Sequence, residues 1–498
     1  MQITNTTLRG LSLAATMAMS SAVMSSAQAA SLQEAASALG AADVKSIEFS
    51  GSGQWFQFGQ APNPTLPWPR FDVSSYSADI NYAVPAARVQ IARKQFVEQG
   101  RQRPVPVEQK VDAYVSGAVA WNVGNQQGAA PGSAPVATPQ LAAVEERSAE
   151  IWSTPHGFLR AALANNAKSQ AAGEGVEVSF TLGGKYRYVG TINAKNEVEK
   201  VRTWIDTPVL GDTLLETKFS SYKAFGAVRF PSRIVRIEGE HPILDLTIAD
   251  VKLNPAVDVA IPQNVADAKP TAPVVAVNKL AEGVYYLTGG THHSVAIEQR
   301  DHIVLVEAPL NEERSLALIA KIKEIIPNKP IKYVVASHVH FDHSGGLRTF
   351  VDAGATIVAH ESDAPYFEKA WAAPRTLVPD LLSKSKKPAK FETYAENYEL
   401  TDGARKIELH RIAGSGHSDD LGLVYLPAER ILIEADAYTP TAANAPPPAS
   451  PNPYSVNLFD NIVRLKLDVA QIAALHGPRV VTLDDLRAAI GQKAAQAQ

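Results

Sequence analysis

Ten of the twelve histidines in this 498-residue chain lie after residue 290. Four potential ligands fall within six residues of the segment "SHVHFDHSGG": His338, His340, Asp342 and His343. Neutral imidazole and carboxylate are donor types that suit zinc at physiological pH. The run follows "IKYVVA", which reads as a short buried strand. A loop leaving the C-terminal end of a strand can bring all four side chains to one point, as no helix face could. Gly345 and Gly346 then let the backbone turn sharply. The chemistry this pattern points to is the holding of a metal ion.

The motif H-x-H-x-D-H after a strand resembles the signature of the metallo-β-lactamase superfamily, and the rest of that pattern follows in order. "GSGHSDDLGLVYL" places His417 on a glycine-flanked loop before a strand. "RILIEADAY" ends an apolar strand with Asp436, and "AALHGPR" puts His476 after another apolar run. The resemblance covers residues 275–498 and implies an αββα sandwich holding two divalent metal ions, with zinc expected. It implies that His338, His340 and His417 hold one ion, that Asp342, His343 and His476 hold the second, and that Asp436 bridges both. Two ions ~3.5–4 Å apart can share a hydroxide and lower its pKa towards ~7, so no serine or cysteine nucleophile is required. Asp342 is the expected catalytic residue, orienting that hydroxide or passing its proton to the leaving group. Glu307, in "IVLVEAP", stands where relatives usually carry an aspartate that hydrogen-bonds a ligand histidine. His292 and His293, in the "GGTHHS" turn, occupy a loop that flanks the substrate pocket in the family and are candidates for substrate contact. His302, His360 and His410 sit in strand-like segments and read as structural.

The superfamily hosts lactamases, lactonases, esterases, sulfatases, phosphodiesterases, thioesterases and redox enzymes, so the fold leaves the substrate open. The di-iron redox branch usually carries glutamate where this chain has His340. Persulfide dioxygenases lack the middle ligands, which are present here as His343, Asp436 and His476. Subgroups with a cysteine ligand are excluded because the chain has no cysteine. The expectation is hydrolysis of an ester, lactone or amide; sulfate esters, phosphodiesters and β-lactams are the alternatives. The segment Tyr438 to Ser455 is proline-rich and uncharged, which suits the wall of a pocket for a neutral, partly apolar small molecule.

The elements around these residues divide into two kinds. From "GVYYLTGG" onwards strands and helices alternate, an α/β pattern, with Leu316, Ile319, Ile322 and Ile325 at helical spacing. Before it, residues 30–272 are mostly strand. A short helix is expected over Leu32 to Leu39, and apolar alternation marks strands at Tyr76, Ala78, Ile80 and Tyr82 and at Val176, Val178, Phe180 and Leu182. The interval Gly124 to Pro139 reads as a loop, and Leu141 to Leu159 as one or two helices. Strands, helix and strands again are similar in outline to the antiparallel half-barrel, folded over a helix, of periplasmic lipoprotein-carrier domains. Five of the six tryptophans lie in this half, either filling its concave core or lining an apolar groove. The second choice makes this half a carrier for an apolar ligand, with the metal domain auxiliary. Pro262 to Val277 has the composition of a linker. The expected architecture is a two-domain α+β chain: residues 30–272, then 273–498.

The length suits two or three domains, and the composition is that of a soluble globular protein. A formal net charge of −4 gives no reason to expect nucleic acid or an anionic membrane as a partner. Residues 1–29 read as an export signal: Arg9, then an apolar stretch from Leu11 to Met24, then Ala27-Gln28-Ala29. The apolar run is shorter than the ~20 residues that span a bilayer, so a cleaved signal is expected rather than an anchor. The expected location is the periplasm or the exterior. All four methionines lie in the signal, which leaves a mature chain without sulfur.

Overall fold

The computed structural model describes residues 31–125, 132–226, 228–443 and 450–492; the expected export signal lies outside them. In the strand Arg70–Asn81, Tyr76, Ala78 and Ile80 are buried while the residues between them are not, so alternation carries one face into the core. Thirteen antiparallel strands form one sheet. Six, from Ser46–Phe56 to Val136–Pro139, pair in chain order, and seven, from Lys168–Ala172 to His241–Leu253, do the same. Pairing of Ser46–Phe56 with His241–Leu253 joins the two meanders.

Helices Val144–Trp152 and Pro155–Ala164 link the meanders. The second starts at Thr154, whose hydroxyl accepts from Gly157 N at 3.1 Å, with Pro155 at its first position. Val115 of one meander, Val178 and Phe180 of the other, and Phe158 of the linking helix share one core. Strands so far apart in sheet order meet only if the sheet curls over the helices, as expected. The tryptophans divide: Trp121 is buried and stacked on Tyr114, whereas Trp68 packs with Phe58 and Phe341 at the junction with the second half.

Some expectations need correction. Gly124 to Pro139 is not all loop, because Val136–Pro139 pairs as the edge strand; residues 126–131 lie outside those described. The linker-like stretch contains a short helix, Gln263–Ala266, whose Val265 is fully buried, and a strand begins within it at Ala276. In the helix Glu312–Ile325 the buried face runs through Leu318 and Ile322, and Leu316 is 43% exposed. A spacing of three falls about 60° short of a full turn at each step, so a strict i, i+3 series winds off the core face.

His156 tests the packing of this half. Its Nε2–H donates to Leu39 O at 3.0 Å and its ring stacks on Phe230. Burial pushes the imidazole down to about 4. The ring therefore takes up a proton more readily when unfolded, and its contribution is complete above the unfolded value of ~6.5 and lost as pH falls towards 4. Urea unfolding is expected to show roughly 3 kcal/mol of that loss absent in His156→Gln, which keeps a donor but does not titrate. Equal slopes in both proteins would remove His156 as the cause.

The second half contains two mixed sheets, seven strands from Ala276–Ala281 to Lys390–Tyr394 and six from Asn397–Thr401 to Val481–Thr482. Val295 and Val306 of the first pack against Leu409 and Ile433 of the second in one core. The outer faces are covered by Leu318, Phe350 and Phe367 on one side and by Leu458, Ile462 and Leu486 on the other. This is the four-layer αββα arrangement. No helix among the described residues is long and apolar enough to cross a membrane.

Candidate metal centre

Two parallel ladders of the sandwich end at the same edge. Ile303–Val306 leads to Glu307, Ile331–Val335 to His338–His343, Ile431–Glu434 to Asp436, and Gln471–Ala474 to His476. Glu307 and Asp436 adopt left-handed backbone, with φ of +76° and +59°. Non-glycine residues hold such a conformation only when their surroundings impose it. Gly345 and Gly346 form the turn between two short helices, as expected, with φ of −61° and −98° rather than in the left-handed region. They also permit close packing: a Cβ would sit 1.9 Å from Leu310 O at the first and 2.1 Å from Ser315 Oγ at the second.

The structure brings all seven predicted ligands together in two adjoining groups. His338, His340, His417 and Asp436 form one; His343, Asp342, His476 and His292 form the other. Within each, the ligand-capable atoms lie within 4.8 Å of one another. Asp436 joins the groups, its Oδ2 lying 2.8 Å from His343 Nε2, 3.2 Å from His417 Nε2 and 3.4 Å from His338 Nε2, while Oδ1 is 3.1 Å from His476 Nε2. The eighth member, His292, is a substrate-contact candidate by sequence and a potential ligand by geometry. Its Nε2 is 3.1 Å from Asp342 Oδ2. His293 turns away and bonds Gly477 O at 2.7 Å. His302, His360 and His410 lie outside both groups.

Whether these residues fit a cation is decided by their nitrogens. His338 Nε2, His340 Nδ1 and His417 Nε2 are buried and make no hydrogen bond. Three orphaned imidazole nitrogens converging beside a carboxylate are costly unless a Lewis acid takes their lone pairs. The opposite nitrogens of five rings are held by the protein, which sets the ring orientations. His338 Nδ1 meets Ser337 Oγ at 2.9 Å, His340 Nε2 donates to Ala61 O at 3.0 Å, and His343 Nδ1 donates to Glu307 Oε2 at 3.2 Å. His476 Nδ1 donates to Thr291 O at 3.2 Å, and His292 Nδ1 meets Thr291 Oγ1 at 2.8 Å. Glu307 Oε2 also accepts from Ser337 Oγ at 2.5 Å, so one carboxylate aligns two histidines.

Electrostatics agree. Burial lowers His338 and His340, and pushes His476 down to about 4, keeping these rings neutral and able to donate a lone pair. Burial alone would raise Asp436 and Asp342. The surrounding imidazoles outweigh it for Asp436, and the His292 hydrogen bond with nearby His343 does so for Asp342, holding both well below the usual carboxylate range. Burial opposes a proton on His343, yet Asp436 and Glu307 hold one there, a field that a divalent cation would satisfy equally. Beneath the site burial pushes Glu434 up to about 8, so the floor adds no further negative charge.

Sequence reasoning missed two contributors, both in the first half of the chain. Gln60 Nε2 donates to Asp342 Oδ1 at 2.7 Å, and Ala61 supplies the carbonyl that orients His340. Neither belongs to a motif. Only the turn-forming "GQAPNP" around them signals a loop, and nothing in it indicates where that loop docks.

Residues 287–451 match the model of the metallo-beta-lactamase superfamily, a span that holds every predicted ligand except His476. No curated protein matches the chain. Solved structures similar to it include a metallo-beta-lactamase from Pontibacter korlensis, at 19% identity and a TM-score of 0.34, covering 44% of this chain and 98% of that one. The DIM-1 metallo-beta-lactamase has 17% identity and a TM-score of 0.34, covering 44% and 96%. A metallo beta lactamase from Hirschia baltica has 20% and 0.32, covering 43% and 94%. The C-terminal half of the chain thus carries a domain of the metallo-β-lactamase superfamily.

Proposed function

We propose that this protein is an exported two-metal hydrolase that cleaves an ester, lactone or amide bond of a small molecule. The observation that carries the reading is the pair of four-donor groups joined through Asp436, with three buried imidazole nitrogens that make no hydrogen bond. His338, His340 and His417 would hold one divalent ion, zinc by its donor types; Asp342, His343, His476 and His292 would hold the other, with Asp436 between them. Ions so held supply Lewis acidity towards the oxygen of the attacked bond and ionise a water near neutral pH. The chain's own part is positioning. Glu307 and Ser337 align His343 and His338, while the Asp342 carboxylate, kept ionised, is the acceptor that orients the attacking water and takes its proton.

The uncharged segment Tyr438 to Ser455, of which 444–449 lie outside the described residues, supports a neutral substrate over a phosphodiester or sulfate ester. Export rests on the pattern of residues 1–29. The concave face of the first half is filled by its own Phe158, Phe180 and Phe230, which argues against a carrier role.

The test is elemental analysis of the full chain, followed by turnover of lactones, esters, thioesters, amides, β-lactams, phosphodiesters and sulfate esters before and after chelation. Two ions per chain and chelator-sensitive cleavage of a carboxylic ester, lactone or amide are expected. One ion in the unmutated protein would end the two-metal reading, and turnover confined to the phosphorus or sulfur esters would end the bond assignment.

A further inference from the structure

We infer that the segment between strands Ser46–Phe56 and Arg70–Asn81 of the first half is a built-in wall of the metal centre, with Gln60 as a positioning residue for Asp342 and the Ala61 carbonyl as one for His340. The inference rests on the two-metal reading above, and it gives the first half a task in the same site.

The contacts form a continuous run. Gly59 O accepts from Phe341 N at 3.1 Å, Gln60 donates to Asp342, Ala61 O accepts from His340, and Pro62 O accepts from Asp419 N at 2.7 Å and from Ser418 Oγ at 3.1 Å. Asn63 Nδ2 then donates to Asp419 Oδ2 at 2.7 Å. Five consecutive residues of one half thus address two of the loops that carry candidate ligands in the other, at His340 and the two residues after it and at the two residues after His417. Because His340 Nε2 is committed to Ala61, its Nδ1 is the nitrogen left for a cation. Because Gln60 occupies Oδ1 of Asp342, Oδ2 is the oxygen turned towards His292 and His343. Each contact selects which atom of a candidate ligand faces the ion, which is how outer partners tune a metal site.

The fit depends on Gly59. Its φ is +77°, and a Cβ there would lie 2.7 Å from the Phe341 ring. Phe58 and Trp68 hold that ring edge-on at 5.3 Å and 5.7 Å, pinning both ends of the segment to the residue that follows His340. A second clamp from the same half meets the other ligand loop: Arg101 pairs with Asp419 at 3.0 Å, and a Cβ on Gly416 would sit 1.7 Å from Gln102 O.

The test uses the full chain and zinc as the probe, with affinities from chelator competition. Gln60→Ala is expected to bind one of its two zinc ions about 10–100-fold more weakly, the other unchanged, with the melting temperature of the metal-free protein unmoved. Gly59→Ala, which forces the segment away from Phe341, is expected to weaken both ions, since it displaces Ala61 from His340 as well. Unchanged zinc affinity in both variants would overturn the proposal. So would a fall in the metal-free melting temperature of Gln60→Ala that accompanies its loss of affinity, because the side chain would then act on folding alone. If the unmutated chain binds no zinc, the two-metal reading fails first and this proposal with it; if it binds two and Gln60→Ala does too, equally tightly, only this proposal fails.

Discussion

Asp436→Ala is expected to lose at least one metal ion per chain and to lower turnover by about 10²–10³, the scale on which a single preorganised electrostatic contact acts. The reason lies in its position between the groups. Its two oxygens lie within 3.4 Å of nitrogens on four histidines, two from each group. Removing the carboxylate takes away a donor and a counter-charge that both groups share, leaving neutral imidazoles alone in the first group. Zinc content by elemental analysis, measured beside turnover, separates the two effects. An alanine variant that retained two ions and near-normal rate would show that the groups are independent sites, contrary to the bridge proposed here.

Asp342→Asn is expected to cost a factor of about 10²–10⁴ in turnover, the range for lost general acid–base assistance. Asparagine preserves the shape but has one acceptor oxygen where aspartate has two. In the native protein Gln60 donates to Oδ1 at 2.7 Å and His292 to Oδ2 at 3.1 Å, so the variant can satisfy only one of them. It also loses the negative charge proposed to receive the proton of the attacking water. Rates measured with both sites saturated in zinc remove the part due to weaker binding. Near-full turnover across the pH range under those conditions would reduce Asp342 to a replaceable ligand and end its proton-handling role.

How much of this was legible in the sequence follows from how local each feature is. His338, His340, Asp342 and His343 are neighbours in the chain, and a strand followed by a tight loop brings them together whatever surrounds it. His417, Asp436 and His476 each follow or precede a short apolar strand, so the α/β pattern also indicates that they share the edge where those strands end. The strands of the first half declared themselves by alternation for the same reason, since period two is a property of successive residues.

Tertiary structure decided the rest. His292 stands 46 residues before His338, in a turn with no ligand spacing of its own, and the isolated bridge between His292 and His476 carries it into the second group. Leu316 shares an apolar type and a regular spacing with Ile322, yet faces solvent because helix geometry rotates a three-residue series away from the sheet. Gln60 and Ala61 lie nearly three hundred residues from the histidine and aspartate they orient. Their contacts depend on how a turn of one sheet seats against a loop of another, through the space left at Gly59 and the aromatic packing of Phe58, Trp68 and Phe341. Seven of the eight donors were therefore written in local sequence, because each ligand type and its strand are local. The choice of which nitrogen or oxygen each donor presents was made by docking between distant segments, and docking surfaces leave no periodic trace in either segment alone.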